Sequence, residues 1–177
     1  MAILHKATIS PTKPELLAGI LGGPVAVLGA YRLDDPDGEV GVEALLVRSG
    51  ERTTQIVLTY RGAPLDGAEE HLVSTMEHTA LGRRWVYDGV GDPVALACFR
   101  RAVLGEQEQA IEEVWDAGEL IATLEPRARL SVVPGEPVES GASLWIATEL
   151  DLPAESTRGP RLRAEWAGGS AIVAGLR

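Results

Sequence analysis

Acidic and aromatic side chains lie close together between Trp85 and Asp92, and paired carboxylates can transfer protons in catalysis. With Asp88 and Asp92 as an acid–base pair, Trp85 and Tyr87 could form a platform on which a sugar ring stacks. The same residues also fit a structural role, because aromatic side chains are common in strands and an aspartate before a proline is a usual helix N-cap. The structural interpretation is favoured, and an enzyme that uses Asp88, Asp92 or Glu77 is an alternative.

Three arginines, Arg61, Arg83 and Arg84, lie near the ends of predicted strands. An arginine in such a position can bind a carboxylate or a phosphate through two parallel hydrogen bonds. It can equally form a structural ion pair with an aspartate such as Asp66 or Asp88, which is the favoured interpretation. The candidate ligand-binding residues are Arg61, Arg84, Trp85, Tyr87, Asp88 and Asp92.

The histidines of the chain are His5, His71 and His78, and Cys98 is its only cysteine. Zinc sites are usually marked by short paired spacings such as HxxxH or CxxC, which these residues lack. A single cysteine in the apolar run ALACF predicts a buried, unreactive thiol and excludes an internal disulfide. We predict no metal site, no cofactor and no catalytic residue.

Phosphoryl transfer requires side chains that this sequence does not contain. It has no GxxxxGK[ST] loop, its only lysines are Lys6 and Lys13, and it has no asparagine to hold magnesium. Gly22 and Gly23 follow a predicted helix, whereas phosphate binds where a helix begins. The sequence therefore does not predict a kinase.

The net charge of the chain is −10, and the acidic residues are concentrated in one region. Residues 102–126 contain seven acidic residues and no lysine or arginine. Phosphate backbones and anionic lipids repel such a surface, so neither nucleic acid nor membrane is an expected partner. The start MAILHKATIS lacks the pattern of a secretory leader, and we expect a cytoplasmic protein.

The first half of the chain predicts one helix followed by antiparallel strands. A helix is expected near residues 13–21, with Thr12 as N-cap and an apolar face made by Leu16, Leu17, Ile20 and Leu21. An earlier strand is expected over residues 3–9. Three strands over residues 25–33, 39–47 and 53–61 are separated by short turns, which requires antiparallel pairing. Gly29 and Gly41 inside these strands indicate bulges or close packing.

Residues 72–87 fit either a β-hairpin or a helix followed by a strand, and the hairpin is favoured. A second helix is expected near residues 92–105, with Asp92 as N-cap and Pro93 at its first position. Its predicted buried residues are Val94, Leu96, Ala97, Ala102, Val103 and Leu104. The later chain consists of short apolar runs between glycines and prolines, which predicts further strands, a terminal hairpin around Gly168-Gly169 and a flexible loop at residues 153–160.

The order LTYR, PL, TMEH, LGRRWVYDG and DPV between Leu58 and Val94 resembles the N-terminal cap domain of actinobacterial maltokinases, in particular short stand-alone proteins built from that cap. A weaker likeness extends to ILHKATISPTKPELL, so that the resemblance covers about two thirds of the chain. It implies a cap-like module, which we place at residues 1–110. The punctuated tail predicts a β-rich C-terminal extension at residues 111–177, packed on the same core. In full-length maltokinases the cap is followed by two kinase lobes, which would not fit in this chain.

These observations predict an α+β fold, in which a curved, mainly antiparallel sheet packs both helices on one face and the extension adds strands. The hypothesis for function is a stand-alone, non-catalytic module that binds or regulates a partner, with a kinase or a glucan-metabolism enzyme implied by the resemblance. A homo-oligomer that pairs through a sheet edge is an alternative partner arrangement. The alternatives are a small-ligand protein, with Trp85, Tyr87 or Trp145 lining a pocket for a sugar or apolar molecule, and the carboxylate-based enzyme.

Overall fold

A computed structural model describes residues 2–5, 7–152 and 158–177 of the chain. These ranges form two α-helices and thirteen β-strands in three sheets. The helices are α1 (Lys13–Leu21) and α2 (Pro93–Val103). The strands are β1 (Ala2–His5), β2 (Ile9–Ser10), β3 (Ala26–Asp34), β4 (Gly41–Ser49), β5 (Arg52–Arg61), β6 (Leu72–His78), β7 (Gly82–Asp88), β8 (Glu112–Asp116), β9 (Glu119–Thr123), β10 (Ala128–Val133), β11 (Leu144–Ile146), β12 (Arg161–Trp166) and β13 (Gly169–Leu176).

The largest sheet has six strands in the order β2-β6-β7-β5-β4-β3, and all of its neighbours are antiparallel. The predicted meander of three strands corresponds to β3, β4 and β5, and the predicted hairpin corresponds to β6 and β7. Asp35 fixes the first turn by accepting hydrogen bonds from the backbone N–H groups of Asp37, Glu39 and Val40. The α+β class, the mainly antiparallel sheet and the β-rich remainder are confirmed.

The two helices lie on opposite faces of this sheet, so the prediction that they share one face is wrong. Leu45 and Val47 of β4 pack in one cluster with Leu17 of α1, whereas Ala44 and Leu46 of β4 pack in another cluster with α2. Successive side chains of a strand point to opposite faces. A strand that is apolar at nearly every position is therefore buried on both sides, and the run VEALLV shows this pattern.

Both helices begin where the sequence predicts, but their buried faces differ from the expectation. The Thr12 N–H donates to the Glu15 carboxylate at 2.8 Å, and the Glu15 N–H returns a bond to the Thr12 hydroxyl, which closes a capping box. Ile20 on α1 is exposed. Leu96 and Ala97 on α2 and Leu104 directly after it are exposed. The buried residues of α2 are Ala95, Cys98, Phe99, Ala102 and Val103.

A second sheet, in the order β10-β12-β13-β11, covers the face of the large sheet that also carries α2. Its strands β12 and β13 form the predicted terminal hairpin, whose turn contains Gly168 at a φ of +91°. One core cluster joins Tyr31 and Val42 of the large sheet to Leu162 and Val173 of the second sheet. We propose that residues 1–110 and 111–177 form a single folding unit on this shared core.

The buried side chain of Gln55 connects the two sheets by hydrogen bonds. Its Oε1 accepts from the Tyr31 hydroxyl at 2.5 Å, and its Nε2 donates to the carbonyls of Ala147 and Val173 at 2.8 and 3.0 Å. The Gln55 backbone N–H also donates to the Thr148 carbonyl at 2.7 Å. A buried amide of this kind costs free energy if its partners are lost, so the C-terminal strands satisfy the polar interior of the earlier ones.

The third sheet has the order β1-β8-β9. Its β1–β8 pair is parallel, an exception to the antiparallel pattern, whereas β8 and β9 form a hairpin. The strand expected over residues 3–9 is divided into β1 and β2, which belong to different sheets.

Most of the loop expected at residues 153–160, namely residues 153–157, lies outside the described residues. Neither helix in the described ranges is long and apolar enough to cross a membrane.

Gly29 lies where the two sheets touch, and the prediction of a bulge and close packing is confirmed there. The register shifts between Val27 and Gly29, and a Cβ at Gly29 would lie 3.0 Å from the Arg127 carbonyl oxygen and 3.0 Å from Trp166 Cβ. At Gly41 a Cβ would make an ordinary contact of 3.6 Å with Tyr60, and the register does not shift. The expectation for Gly41 is therefore wrong.

We predict that Gly29→Ala lowers the free energy of unfolding by about 1–2 kcal/mol, because the added methyl group overpacks the contact between the sheets. The matched variant Gly41→Ala is expected to change it by less than about 0.5 kcal/mol. Urea unfolding followed by tryptophan fluorescence and circular dichroism measures both. Equal effects at the two glycines would contradict the packing argument, and separate transitions by the two probes would contradict the single folding unit.

Candidate functional site

Asp92 and Arg61, two of the candidate site residues, form a bidentate salt bridge at the end of β5. The guanidinium Nε and Nη2 of Arg61 each lie 2.7 Å from an Asp92 carboxylate oxygen. The Thr59 hydroxyl donates to the same carboxylate at 2.7 Å, and the Val94 N–H donates at 2.9 Å. The Asp92 side chain is fully buried, so these four donors replace its hydration.

The sequence places these groups together through two local rules. Thr59 and Arg61 are two residues apart on β5 and therefore point to the same face. Asp92 precedes Pro93 and caps α2, where the positive end of the helix dipole favours a carboxylate. We name this arrangement of Thr59, Arg61, Asp92 and Val94 the Asp92 clasp.

Asp92 is held in its ionised form. Burial by itself would raise the pKa of Asp92, but hydrogen bonds from Arg61, Thr59 and the Val94 N–H, together with the charge of Arg61, outweigh it and lower the pKa. A general acid needs a raised carboxyl pKa, and a general base needs a free oxygen. The geometry of the clasp therefore supports a structural role for Asp92 and gives no support to its use in acid–base chemistry.

The other candidates are distributed around the β6–β7 hairpin and have local partners. The buried Tyr87 hydroxyl accepts a bond from the Leu65 N–H at 2.9 Å, and Asp88 accepts one from the Val90 N–H at 3.2 Å. Arg84 donates to the Leu81 carbonyl at 3.1 Å. Trp85 is half-buried and lies opposite Arg61 in the strand register.

The arginine pairing differs from the expectation in its partner. Arg61 binds Asp92, which the sequence had marked as a helix cap, rather than Asp66 or Asp88. Arg83 pairs instead with Glu77 at 2.8 Å on the exposed surface of the hairpin. Of the six candidate residues, the structure brings Arg61 and Asp92 into direct contact.

The histidines and the cysteine have structural surroundings where they are described. His71 lies so close to Gly91 that a Cβ there would come within 2.1 Å of its ring, and the His78 Nδ1 accepts from the N–H groups of Ala80 and Leu81. Cys98 is buried, and burial raises its pKa. Within the described ranges no three His, Cys, Asp or Glu residues are grouped so as to hold a metal ion. The His5 side chain lies outside the description.

A buried ionic cluster that the sequence analysis did not identify lies on the opposite face, beneath α1. The Glu43 carboxylate accepts hydrogen bonds from Lys13 Nζ at 2.5 Å and from the Tyr60 hydroxyl at 2.8 Å. Arg32 lies 3.3 Å from the same carboxylate, and its guanidinium carbon is 6.0 Å from the centre of the Tyr60 ring. We name these four residues the Glu43 cluster.

The environment of Glu43 changes its protonation strongly. Burial alone would raise its pKa, but the charges of Arg32 and Lys13 and the hydrogen bonds from Lys13 and Tyr60 lower it from 4.5 to about 2. The sequence does contain a signal for the Glu43 cluster. A single acid interrupts the apolar run VGVEALLV, and the strand register places it opposite Arg32. A charge within a strand that is buried on both faces requires a partner.

Residues 21–92 match the maltokinase N-terminal cap domain. A comparison with curated proteins finds no match. We call residues 21–92 the cap segment.

The cap segment covers five of the six strands of the large sheet. It begins at the last residue of α1, contains β3 to β7 and ends at Asp92, the N-cap of α2. Arg32, Glu43 and Tyr60 of the Glu43 cluster therefore lie inside the cap segment, while Lys13 reaches them from α1. The Asp92 clasp lies at the boundary where the cap segment joins the rest of the chain.

An open groove of about 660 Å³ lies outside the cap segment, between the β8–β9 hairpin and the second sheet. Its walls include Glu108, Ile111, Leu124, Leu130 and Val132. None of the six candidate residues lines this groove, and neither does Trp145.

We predict that stability falls between about pH 4.5 and pH 2 because of Glu43. Its folded pKa of about 2 lies below the ordinary value of 4.5, so its contribution is complete above the ordinary value and is lost as the pH falls through the folded one. At about 1.4 kcal/mol per pKa unit, the contribution is about 3 kcal/mol. Glu43→Gln should lose a similar amount at pH 7 and lack this part of the pH dependence.

Urea unfolding of the Glu43→Gln variant from pH 7 to pH 2 measures both effects. The control is Glu77→Gln, which removes an exposed carboxylate paired with Arg83 and should change stability by less than about 1 kcal/mol. If the free energy of unfolding of Glu43→Gln fell with pH in parallel with that of the wild type across the acid range, the lowered pKa of Glu43 would not be the cause.

The Asp92 clasp gives a second prediction. Asp92→Ala should lower the free energy of unfolding by about 3–5 kcal/mol, because it leaves Arg61 and Thr59 without their partner and α2 without its cap. Asp88→Ala removes one long N–H contact and should cost about 1 kcal/mol. Thermal unfolding measures the loss of stability in both variants, and Asp88→Ala is the control because Asp88 lies in the same segment. A larger loss for Asp88→Ala would refute the structural role of the clasp.

Proposed function

We propose that the protein is a non-catalytic cap module that binds and regulates a kinase of the maltokinase type, or another enzyme of maltose and α-glucan metabolism, in the cytoplasm. The observation that carries the proposal is the match of residues 21–92 to the maltokinase N-terminal cap domain. The resemblance implies that in full-length maltokinases this cap precedes two kinase lobes. A cap-like sheet is therefore suited to contact a kinase surface.

The internal pairing of the cap segment supports a role in binding rather than in catalysis. The carboxylates of Glu43 and Asp92 are buried, and each is occupied by hydrogen bonds from basic and hydroxyl side chains. A catalytic carboxylate must reach a substrate atom. These groups instead hold the sheet together, and the outer surface of the segment is left for contacts with other molecules.

The end of the β6–β7 hairpin where β6 begins and β7 ends offers a suitable apolar contact. Leu72 and Val90 at this end are 41% and 43% exposed, although large apolar side chains are more often buried. Val90 is two residues before the end of the cap segment. The resemblance implies that in a full-length maltokinase the kinase lobes follow this end. We therefore assign the docking contact to this end.

The experiment titrates a purified maltokinase-type kinase with the protein and measures heat of binding and the rate of ATP-dependent maltose phosphorylation. We expect saturable binding and a changed rate. Leu72→Glu and Val90→Glu should weaken binding by about tenfold or more, since a charge in an apolar contact loses more than 1.4 kcal/mol. Leu81→Glu is the matched control, because Leu81 is 43% exposed at the opposite end of the same hairpin.

Two results would contradict the proposal. The first is the absence of saturable binding to the kinase and to the α-glucan enzymes of the same cytoplasm. The second is ATP consumption by the purified protein that is abolished by changing one of its own acidic side chains.

A further inference from the structure

The β8–β9 hairpin has an open edge. Every residue of β9, Glu119–Thr123, is exposed, and in the described part of the chain β9 pairs with β8 alone. An edge strand turns every second N–H and C=O group away from its neighbour, where these groups can pair with another extended chain. The hairpin lies outside the cap segment, so this surface is separate from the contact proposed above.

The open edge is also apolar to a degree that is unusual for a solvated strand. Leu120 and Ile121 on β9 are 49% and 57% exposed, and Ile111 and Leu124 beside the hairpin are 62% and 42% exposed. Natural proteins usually place charged residues or proline on such an edge to prevent pairing. Leu120, Ile121 and Ala122 carry no such protection.

The groove between the hairpin and the second sheet begins where β9 ends. Thr123 and Leu124 line it together with Leu130 and Val132 of β10, and its volume is about 660 Å³. The pairing of the hairpin extends to this point, since the Leu124 N–H donates to the Glu112 carbonyl at 2.8 Å. A chain laid along β9 would therefore reach an apolar wall into which a side chain can be inserted.

The charge around this edge selects its partner. The stretch of residues 102–126 has seven acidic residues and no lysine or arginine. Glu119 begins β9 and Glu108 lines the groove, where Arg129 is already paired with Glu125 at 3.2 Å. A second copy of the chain would add a second stretch of the same negative charge beside this edge, and the two stretches would repel each other.

We propose that the edge of β9 and the adjoining groove bind an extended, basic segment of another protein by strand addition. In this mode backbone hydrogen bonds to β9 supply the pairing, and lysines or arginines of the segment lie near Glu108 and Glu119. An apolar side chain of the segment enters the groove beside Leu124 and Val132. The inference does not rest on the proposed kinase contact.

The test uses a fluorescein-labelled peptide of alternating lysine and valine, which is extended and basic. We expect saturable binding by fluorescence anisotropy that weakens as salt is raised, and slower amide hydrogen exchange at residues 119–124 when the peptide is present. A peptide of alternating lysine and proline has the same charge but lacks the N–H of every second residue, and it should bind at least about tenfold more weakly.

Matched variants locate the site. Ile121→Lys places a charge on the edge without removing a buried group, and it should weaken peptide binding by about tenfold or more. Leu152→Lys is the control, because Leu152 is 60% exposed outside the hairpin and the change adds the same charge. Circular dichroism establishes that both variants are folded.

Three outcomes would overturn the inference. The first is equal affinity for the two peptides. The second is an equal loss of peptide affinity in Ile121→Lys and Leu152→Lys. The third is that the free protein self-associates, that Ile121→Lys abolishes this self-association, and that the peptide does not bind. The kinase titration is independent of each of them, because it is sensitive to Leu72 and Val90.

Discussion

The fold depends on a carboxylate that is buried and fully paired at the point where the sheet passes into a helix. Asp92 receives hydrogen bonds from the end of β5 and from the first turn of α2. Through it, the position of the helix is fixed relative to the strand. Because α2 packs against both the large sheet and the second sheet, the same carboxylate anchors the helix that both sheets contact.

A second constraint is that the central strands have no solvated face. Residues of β4 alternate between two apolar clusters, and the one acid among them, Glu43, is retained by three polar partners. A sheet of this kind needs cover on both sides. The helix α1 provides it on one side, and α2 with the C-terminal strands provides it on the other.

Local signals in the sequence predicted much of this architecture. The Thr12 N-cap and the Asp92-Pro93 helix start act over a few residues, and each was predicted correctly. The sides of the sheet on which the two helices pack were predicted wrongly. The run VEALLV has apolar residues on both faces of its strand, so the pattern does not show which face each helix covers. The choice between Leu96 and Ala95 as a buried residue likewise depends on the angle at which α2 meets two sheets.

The sequence analysis named Arg61 and Asp92 as candidates but indicated neither their pairing nor the part of Thr59. Thr59, Arg61 and Asp92 are more than thirty positions apart at their extremes, and their contact follows from how β5 and α2 meet. The Glu43 cluster was missed since its four members come from four different elements. Its signal, an acid inside an apolar strand, indicates that a partner exists without saying which one.

The amide of Gln55 has a consequence for other proteins that contain a cap segment. In this chain its oxygen and nitrogen bind across the layer boundary, to Tyr31 on one side and to Ala147 and Val173 on the other. The inner surface of the cap segment is thus an incomplete interior that the last fifty or so residues finish. A protein that joins an equivalent segment to different neighbours must supply a replacement lid, with two carbonyl oxygens at that depth or an apolar residue in place of the glutamine.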